Sequence, residues 1–145
     1  MSELRLPRLL SDGVVLQRRK SIHIWGWDKA GSVVTAKLED DVSSAVCGSD
    51  NRFDLYLPAR ESGGPYELIV SDDKGDSITV QDVMVGLVWF CSGQSNMELP
   101  IARVKDRYPE MLSVEPNDRI RTFKIVEETC YGHLALHSAS RGICL

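Results

Sequence analysis

Apolar and polar residues alternate in short runs through residues 1–81, and this alternation constrains the fold more than any other feature. In the run at residues 52–58, Phe53, Leu55 and Leu57 share one face, and polar or amphipathic side chains share the other. Shorter runs of the same kind lie at residues 21–27, 33–39, 66–70 and 77–80. Turn-forming glycine, proline and aspartate residues separate these runs. Period-two alternation with regularly spaced turns predicts an antiparallel β-sandwich-like domain.

The alternation stops near Gln81–Asp82, and a nearly continuous apolar run follows as far as Cys91. A strand that is buried on both faces of a parallel sheet has this pattern. We therefore predict a domain boundary there, with the start of an α/β domain over residues 82–126. Residues 120–126 are a second strand candidate. Residues 127–145 show no clear period, which predicts an aberrant or unstructured tail of the kind that a frameshift, an alternative exon or a fragment would give.

Composition narrows the classes of function. Of the 145 residues, 43% are hydrophobic and 26% charged, as in ordinary globular proteins, and the net charge of −4 gives no support for nucleic-acid binding. No apolar run approaches the roughly 20 residues of a membrane span. The N-terminus has no signal-peptide pattern, so a cytoplasmic location is the default expectation. Four scattered cysteines do not form a disulfide framework and leave the redox compartment open.

Ser95 is the candidate catalytic residue, because it follows the apolar run directly in the segment Cys-Ser-Gly-Gln-Ser-Asn-Met-Glu. A nucleophilic serine must be exposed, must have a base and must face donors for the oxyanion. Unpaired N–H groups at a helix start meet the last need. Gly93 allows a tight turn and close substrate approach. Ser95 and Glu98 also fit a capping box, so from the residues alone Ser95 is either a helix cap or a nucleophile. Pro100 predicts that the helix is short, kinked or begins later.

Several segments together resemble the sialate O-acetylesterase family, a group of carbohydrate esterases of the SGNH-hydrolase type. The similarity covers roughly residues 6–126. The segments, in order, are LPRLLSDGVVLQR, IWGWDKAGS, GGPYELIV, DVMVGLVWFCSGQSNMELP and IRTFKIV. The resemblance implies a β-sandwich-like domain followed by a flavodoxin-like α/β catalytic domain. It also implies hydrolysis of O-acetyl esters on sialic acid, or on another acetylated sugar, without a cofactor or metal. Family members are often lysosomal, secreted or periplasmic.

By the same resemblance, Ser95 is the nucleophile and its backbone N–H is one oxyanion donor, with Gly93, Gln94 and Asn96 as supporting residues. The family's other donors are a later glycine and asparagine, and its base is the histidine of a D-x-x-H block. Neither a D-x-x-H nor a G-x-N after Ser95 occurs in these 145 residues, and Leu87 replaces a usual acidic residue. We therefore expect a truncated form, with its catalytic histidine and aspartate missing and little activity. The alternative is a non-catalytic β-sandwich module that binds carbohydrate or another partner. The oligomeric state is open.

Other candidate sites have plainer explanations. Cys130, His133, His137 and Cys144 have a loose zinc-like spacing, but we expect them to be tail residues. Either histidine could in principle serve Ser95 as a base, but no acid is placed to orient it.

The tryptophans and the remaining polar candidates also have plainer explanations. The tryptophans are a possible sugar-stacking platform, but core positions are the expectation for Trp25, Trp27 and Trp89. We expect His23 to face solvent from a strand and Cys91 to be a buried structural thiol. The acidic groups 39–41 and 72–73 lack calcium-loop spacing and are expected to be solvated turns. Finally, one or two strands of a parallel sheet cannot cover both of their faces, so we expect residues 87–91 to be left partly exposed and the chain to be poorly soluble unless residues after about 82 are removed.

Overall fold

The computed structural model describes residues 3–93, 95–113, 115 and 117–124. Seven strands form its framework: β1 Val15–Gln17, β2 Ile22–Trp27, β3 Val33–Leu38, β4 Asp41–Val46, β5 Arg52–Leu57, β6 Gly63–Asp72 and β7 Ser77–Gly86. Three short 3-10 helices follow: Ser95–Glu98, Ile101–Val104 and Pro109–Ser113. In the part of the chain that is described, no helix is long and apolar enough to cross a membrane.

The strands form two sheets. The larger sheet has the order β1-β7-β6-β3-β4, and the smaller one pairs β2 with β5. All pairings are antiparallel except that of β1 with β7, which is parallel and places Val15 opposite Met84. The described chain is therefore mostly β, with a mixed sheet. The predicted β-sandwich-like arrangement is confirmed in outline, although its larger sheet is not purely antiparallel.

Among the described residues, one apolar core lies between the two sheets, and it consists mainly of the side chains that the alternation in the sequence places on one face of each strand. Phe53, Leu55 and Leu57 of β5 are almost fully buried, as predicted. From the larger sheet, Leu38 and Leu68 are completely buried. Burial of such side chains stabilises a fold by roughly 1.5–3 kcal/mol each, before the entropic cost of ordering the chain. The core also sets the strand register, because a shift of one residue would move the apolar side chains to the solvent-facing side of the sheet.

A β-bulge lies at Gln81–Asp82, where the alternation in the sequence breaks. The register of β7 against β6 shifts between the pairs Leu68↔Val80 and Tyr66↔Val83. Asp82 has a positive φ of 56°. An extra residue in one strand reverses the parity of inward-facing positions, so Val83 is buried on the same side as Val80. Strand β7 therefore continues across the predicted boundary as far as Gly86.

Two further expectations about strands are wrong. Residues 87–91 are not a buried strand: Leu87, Trp89 and Phe90 are 56%, 64% and 72% exposed. Burial on both faces requires neighbouring strands and covering helices, and the described residues supply neither at this segment. Residues 120–124, the described part of the second strand candidate, form no strand either. The described residues thus contain no start of an α/β layer. Conversely, the short strands β1 and β4 were not predicted.

Candidate active site

The segment that carries the serine motif leaves the sandwich at the end of β7. The N–H of Val88 donates to Oε1 of Gln17 at 2.9 Å, and the N–H of Arg18 donates to the carbonyl of Gly86 at 2.8 Å. These two bonds attach the start of the segment to the last residue of β1 and to the residue after it. Beyond Val88, every described residue as far as Gly93 is exposed. The sandwich therefore presents the motif on an accessible extension rather than in its own core.

Ser95 begins the 3-10 helix Ser95–Glu98, so the predicted helix start is confirmed in position. The helix has a single turn, in agreement with the early Pro100, and the N–H of Leu99 donates to the carbonyl of Asn96 at 3.3 Å. A Cβ at Gly93 would lie 2.7 Å from Cγ of Met97. A glycine therefore lets the chain approach the turn closely at this point. Asn96 is exposed, and Gln94 lies outside the described residues.

Ser95 and Asn96 lie in one 3-10 turn, and Gly93 lies two residues before it. The roles of Ser95 as nucleophile and of its N–H as oxyanion donor stay predictions. Cys130, His133, His137 and Cys144 lie outside the described residues. Within residues 3–93, 95–113, 115 and 117–124, no group of three or more histidine, cysteine, aspartate or glutamate side chains is placed to hold a metal ion.

The tryptophans occupy different environments from those expected. Trp89 is largely exposed, because the segment that carries it is not a buried strand. Trp25 and Trp27 are half-buried on the outer face of β2, although Trp25 also packs against the edge of the core. The expectation of core positions is thus wrong for Trp89 and only partly met by the other two.

An ion pair on the outer face of the small sheet was missed in the sequence. Nε2 of His23 lies 2.7 Å from Oδ1 of Asp54, and Nε of Arg52 lies 3.1 Å from Oδ2 of the same carboxylate. Burial raises the pKa of Asp54, but the hydrogen bonds from Arg52 and His23 outweigh it and the pKa is lowered. The alternation of apolar and polar residues predicts that His23, Arg52 and Asp54 face outward. The pairing was not predictable, because it depends on the register between β2 and β5.

The two described cysteines are both free, but they differ in access. Cys47 is buried, and its Sγ–H donates to the carbonyl of Asp28 at 3.1 Å. Burial raises the pKa of the Cys47 thiol, which keeps it protonated and unreactive. Cys91 is exposed, so its expected role as a buried structural thiol is wrong.

The acidic turns agree with expectation only in part, because Asp41 belongs to β4 and is mostly shielded from solvent, and Asp72 is half-buried at the end of β6. Glu39 and Asp40 are exposed, whereas Asp41 binds Arg60. Oδ1 of Asp72 accepts hydrogen bonds from the N–H groups of Lys74 and Asp76 at 3.0 and 2.7 Å, which closes the turn between β6 and β7. These carboxylates therefore order turns, as aspartates commonly do.

The curated proteins that resemble this chain in sequence share one name. No protein-family model matches the chain. The sialate O-acetylesterase of Rattus norvegicus is 28% identical over 131 residues, which is 83% of this chain and 24% of the rat protein. The sialate O-acetylesterase of Homo sapiens is 26% identical over 132 residues, again 83% of this chain and 25% of that protein. The chain thus spans about a quarter of the length of these relatives.

A solved structure agrees with these relatives. A carbohydrate acetylesterase from Xanthomonas citri matches with a TM-score of 0.78 and 35% sequence identity, over 86% of this chain and 28% of that one. The relatives are named as esterases, which is the enzyme class that the sequence resemblance predicted. The resemblance is therefore confirmed: in sequence the chain is similar to part of the sialate O-acetylesterases, and in sequence and fold it is similar to part of a bacterial carbohydrate acetylesterase.

Proposed function

We propose that the chain is part of a serine esterase that removes O-acetyl groups from sialic acid, with Ser95 as the nucleophile. Two observations together carry the proposal. The relatives are esterases, and the segment around Ser95 is an accessible turn beside a sandwich that resembles a solved acetylesterase. Both requirements that can be examined locally, exposure of the segment and a helical turn that begins at the serine, support a nucleophile.

In the proposed reaction, Oγ of Ser95 attacks the acetyl carbonyl carbon. The carbonyl oxygen becomes an oxyanion, which the N–H of Ser95 helps to stabilise. Collapse of the tetrahedral intermediate expels the sugar hydroxyl and leaves an acetyl-enzyme. Water then attacks the acetyl-enzyme and releases acetate. Removal of the Oγ proton requires a base, and its return to the sugar oxygen requires the same group as an acid.

We expect the 145 residues alone to turn over esters weakly, since they contain no D-x-x-H motif and no G-x-N motif after Ser95. Loss of members of a catalytic triad leaves only the residual catalysis that binding and oxyanion donors provide. The test is hydrolysis of an aryl acetate by the isolated chain and by its Ser95→Ala variant. Rapid hydrolysis by the chain that is lost in the variant would contradict the expected weak activity.

A chimera tests the nucleophile independently of that expectation. Residues of this chain replace the matching part of the Xanthomonas citri carbohydrate acetylesterase, whose remainder then completes the enzyme. We expect the chimera to hydrolyse an aryl acetate, and Ser95→Ala to lower kcat by at least about 10³-fold. Ser92→Ala, at an exposed serine of the same segment, is the matched control and should retain most of the activity. Equal activity of the Ser95→Ala variant and the parent would exclude Ser95.

A second candidate function is a non-catalytic β-sandwich module, and the closed core favours it. The buried cluster draws on β1, β2, β3, β5, β6 and β7, and every buried hydrophobic residue lies between Leu4 and Val85 among those described. The sandwich thus has a core that does not depend on the serine segment. The chimera distinguishes the two functions, because a pure module would restore folding of the hybrid while Ser95→Ala left its turnover unchanged.

A further inference from the structure

Residues 87–120 leave the sandwich at the end of β7 and the chain then returns to the same strand; we refer to these residues as the serine segment. At its start, the N–H of Val88 donates to Oε1 of Gln17 at 2.9 Å. Directly after its end, the guanidinium of Arg121 binds Asp82, with Nη2 2.9 Å from Oδ1. Gln17 pairs with the last residue of β7, and Asp82 belongs to the same strand. The segment is therefore attached at both ends to one side of the sandwich.

The site that binds Arg121 consists of three oxygen atoms at the β-bulge of β7. Nη1 of Arg121 donates to the carbonyl of Gly13 at 3.0 Å and to that of Asp82 at 2.7 Å, and Nη2 donates to the Asp82 carboxylate. Asp82 has no partner in the register between β6 and β7 and has a positive φ, which leaves its carbonyl available to Arg121. The bulge thus supplies an acceptor that a regular strand would use for pairing.

The turn that precedes β1 holds these acceptors in place. The N–H of Gly13 donates to the carbonyl of Gln81 at 3.0 Å, and the N–H of Gln81 donates to Oδ1 of Asp12 at 2.7 Å. Acceptors that are already ordered add little entropic cost when a side chain binds them. The Arg121 side chain is 23% exposed, and its bonds to the carboxylate and carbonyls are charge-assisted. This attachment should therefore be stronger than an ordinary surface ion pair.

Between its two attachments, the serine segment makes little contact with the sandwich. Among the described residues from 89 to 120, every hydrogen bond is local, such as that from the N–H of Tyr108 to the carbonyl of Val104. Those whose burial is described are exposed, except for a half-buried Val104. Phe90 lies at a groove of about 300 Å³ and does not pack into the core. The position of the segment thus depends mainly on its two ends.

We propose that Gln17 and Arg121 are positioning residues for Ser95, an inference that rests on the proposed function. Gln17 acts through the N–H of Val88 and fixes the chain before Ser95, and Arg121 fixes it after the serine. A segment that is bound at both ends samples fewer conformations than one bound at a single end. Misplacement of a reacting group by about 1 Å can lower a rate by about 10²-fold. Neither residue needs to contact the substrate for this effect.

The first test measures the mobility of the serine segment in the full chain by NMR relaxation of backbone amides, which requires no activity. Gln17→Met and Arg121→Gln each remove one attachment. We expect either change to lower the order parameters of Gly93 and Asn96 below about 0.6, the range of flexible backbone, from higher values in the parent. Arg119→Gln is the matched control, because it changes an exposed arginine of the same segment, and it should give the parent values.

The second test measures turnover of an aryl acetate by the chimera with the Xanthomonas citri acetylesterase. We expect Gln17→Met and Arg121→Gln to lower kcat about 10-fold to 100-fold with KM within about threefold, whereas Arg119→Gln keeps the parent kcat. Arg121→Lys retains the positive charge opposite Asp82 and should restore part of the lost kcat. A purely structural role of the two residues would lower the melting temperature of the chimera and leave kcat unchanged well below it.

Several results would overturn the proposal. They are order parameters that are already low in the parent or unchanged in both variants, equal losses in Arg119→Gln, or a kcat that depends on Ser95 but not on Gln17 or Arg121. Failure of the esterase proposal has a different signature, since turnover of the chimera would then survive Ser95→Ala. In that case the relaxation measurement on the full chain still decides whether the two residues hold the segment.

Discussion

Arg60 binds Asp41 across 19 residues of sequence, with Nε 2.6 Å from Oδ2, and so attaches the segment before β6 to the hairpin of β3 and β4. Nη2 of Arg60 also donates to the carbonyl of Leu38 at 3.2 Å, and the guanidinium lies 5.3 Å from the Tyr66 ring centroid. The hydrogen bond to Asp41 raises the pKa of Arg60. Both partners are mostly shielded from solvent, with side chains 21% and 26% exposed.

Arg60→Met should therefore destabilise the fold by about 1–2 kcal/mol, because it leaves a shielded carboxylate and a strand-end carbonyl without their donor. Arg19→Met is the matched control: Arg19 pairs with Glu61 at 2.9 Å, but those side chains are 67% and 70% exposed. We expect that control to cost only a few tenths of a kcal/mol, as is usual for exposed ion pairs. Urea unfolding of both variants measures the difference, and equal midpoints would show that the Arg60 contact adds no stability.

Gly26→Ala should cost at least about 2 kcal/mol, because a Cβ at this position would overlap the carbonyl oxygen of Arg5 and lie 2.7 Å from Cζ of Phe53. Neither neighbour can move freely. Arg5 forms a bridge to Trp27, and Phe53 is 1% exposed in the core. Gly86→Ala is the control, since its nearest neighbour would be Cγ1 of Val15 at 3.4 Å. Thermal melting should separate the two variants clearly, and similar melting temperatures would contradict the tight contact of β2 with the N-terminal segment.

A strand was predictable from the sequence where one of its faces is buried and the other is exposed, because its apolar and polar residues then alternate. In β3 and β5 the inward positions Val34, Leu38 and Phe53 follow directly from alternation, and all are buried. Strand β4 was not predicted, because Val42 and Val46 are exposed at the sheet edge and the sequence of the strand has no apolar face. The bulge at Asp82 interrupts the alternation within β7, so the break in the pattern at residues 81–82 does not by itself mark the end of a strand.

In the candidate site, too, some features were predictable from the sequence and others were not. The position of Ser95 at a helix start was predictable, because it follows from local sequence. The His23–Asp54 pair was not, since its partners are 31 residues apart and meet only through sheet register. The contact of Arg121 with Asp82, with Nη2 2.9 Å from Oδ1, joins residues 39 apart and is equally invisible to local pattern. Non-local pairs between polar residues carry no periodic signal.

Asp54→Asn should reduce the dependence of stability on acid pH. The folded-state pKa of Asp54 is below its ordinary value of 3.8, because the bonds from Arg52 and His23 outweigh the effect of burial. A depressed carboxyl pKa contributes stability that is present above the unfolded-state pKa and is lost as pH falls through the folded-state pKa. The parent should therefore lose more stability than Asp54→Asn as the pH falls from about 5 through the ordinary carboxyl pKa of 3.8 and below it.

The size of that effect is modest, because the Asp54 side chain is 40% exposed and solvent screens its ion pairs. Asp40→Asn at an exposed turn residue serves as the control. Urea unfolding across the pH range provides the measurement. If Asp54→Asn and Asp40→Asn have identical pH profiles, the ion-paired carboxylate makes no contribution to folding.

A fragment of residues 1–86 should fold cooperatively, whereas a fragment of residues 1–81 should not. We propose that the sandwich unit ends at Gly86 rather than at the bulge, because Val83 and Val85 are 0% and 2% exposed in the core. Residues 84–86 also provide the whole pairing surface for β1. Removal of two buried valines and a strand partner costs several kcal/mol, which is comparable to the entire stability of a small domain.

The 1–86 fragment should in addition be more soluble than the full chain, since it lacks the exposed Leu87, Trp89 and Phe90. It also loses the Val88 bond to Gln17 and the Arg121 bond to Asp82, so a small decrease in melting temperature is expected. Circular dichroism melts and sedimentation of the three chains provide the readout. If the 1–81 fragment melts as sharply as the 1–86 fragment, the sandwich unit ends at the bulge and not at Gly86. Equal solubility of 1–86 and the full chain would show that the exposed apolar segment does not promote association.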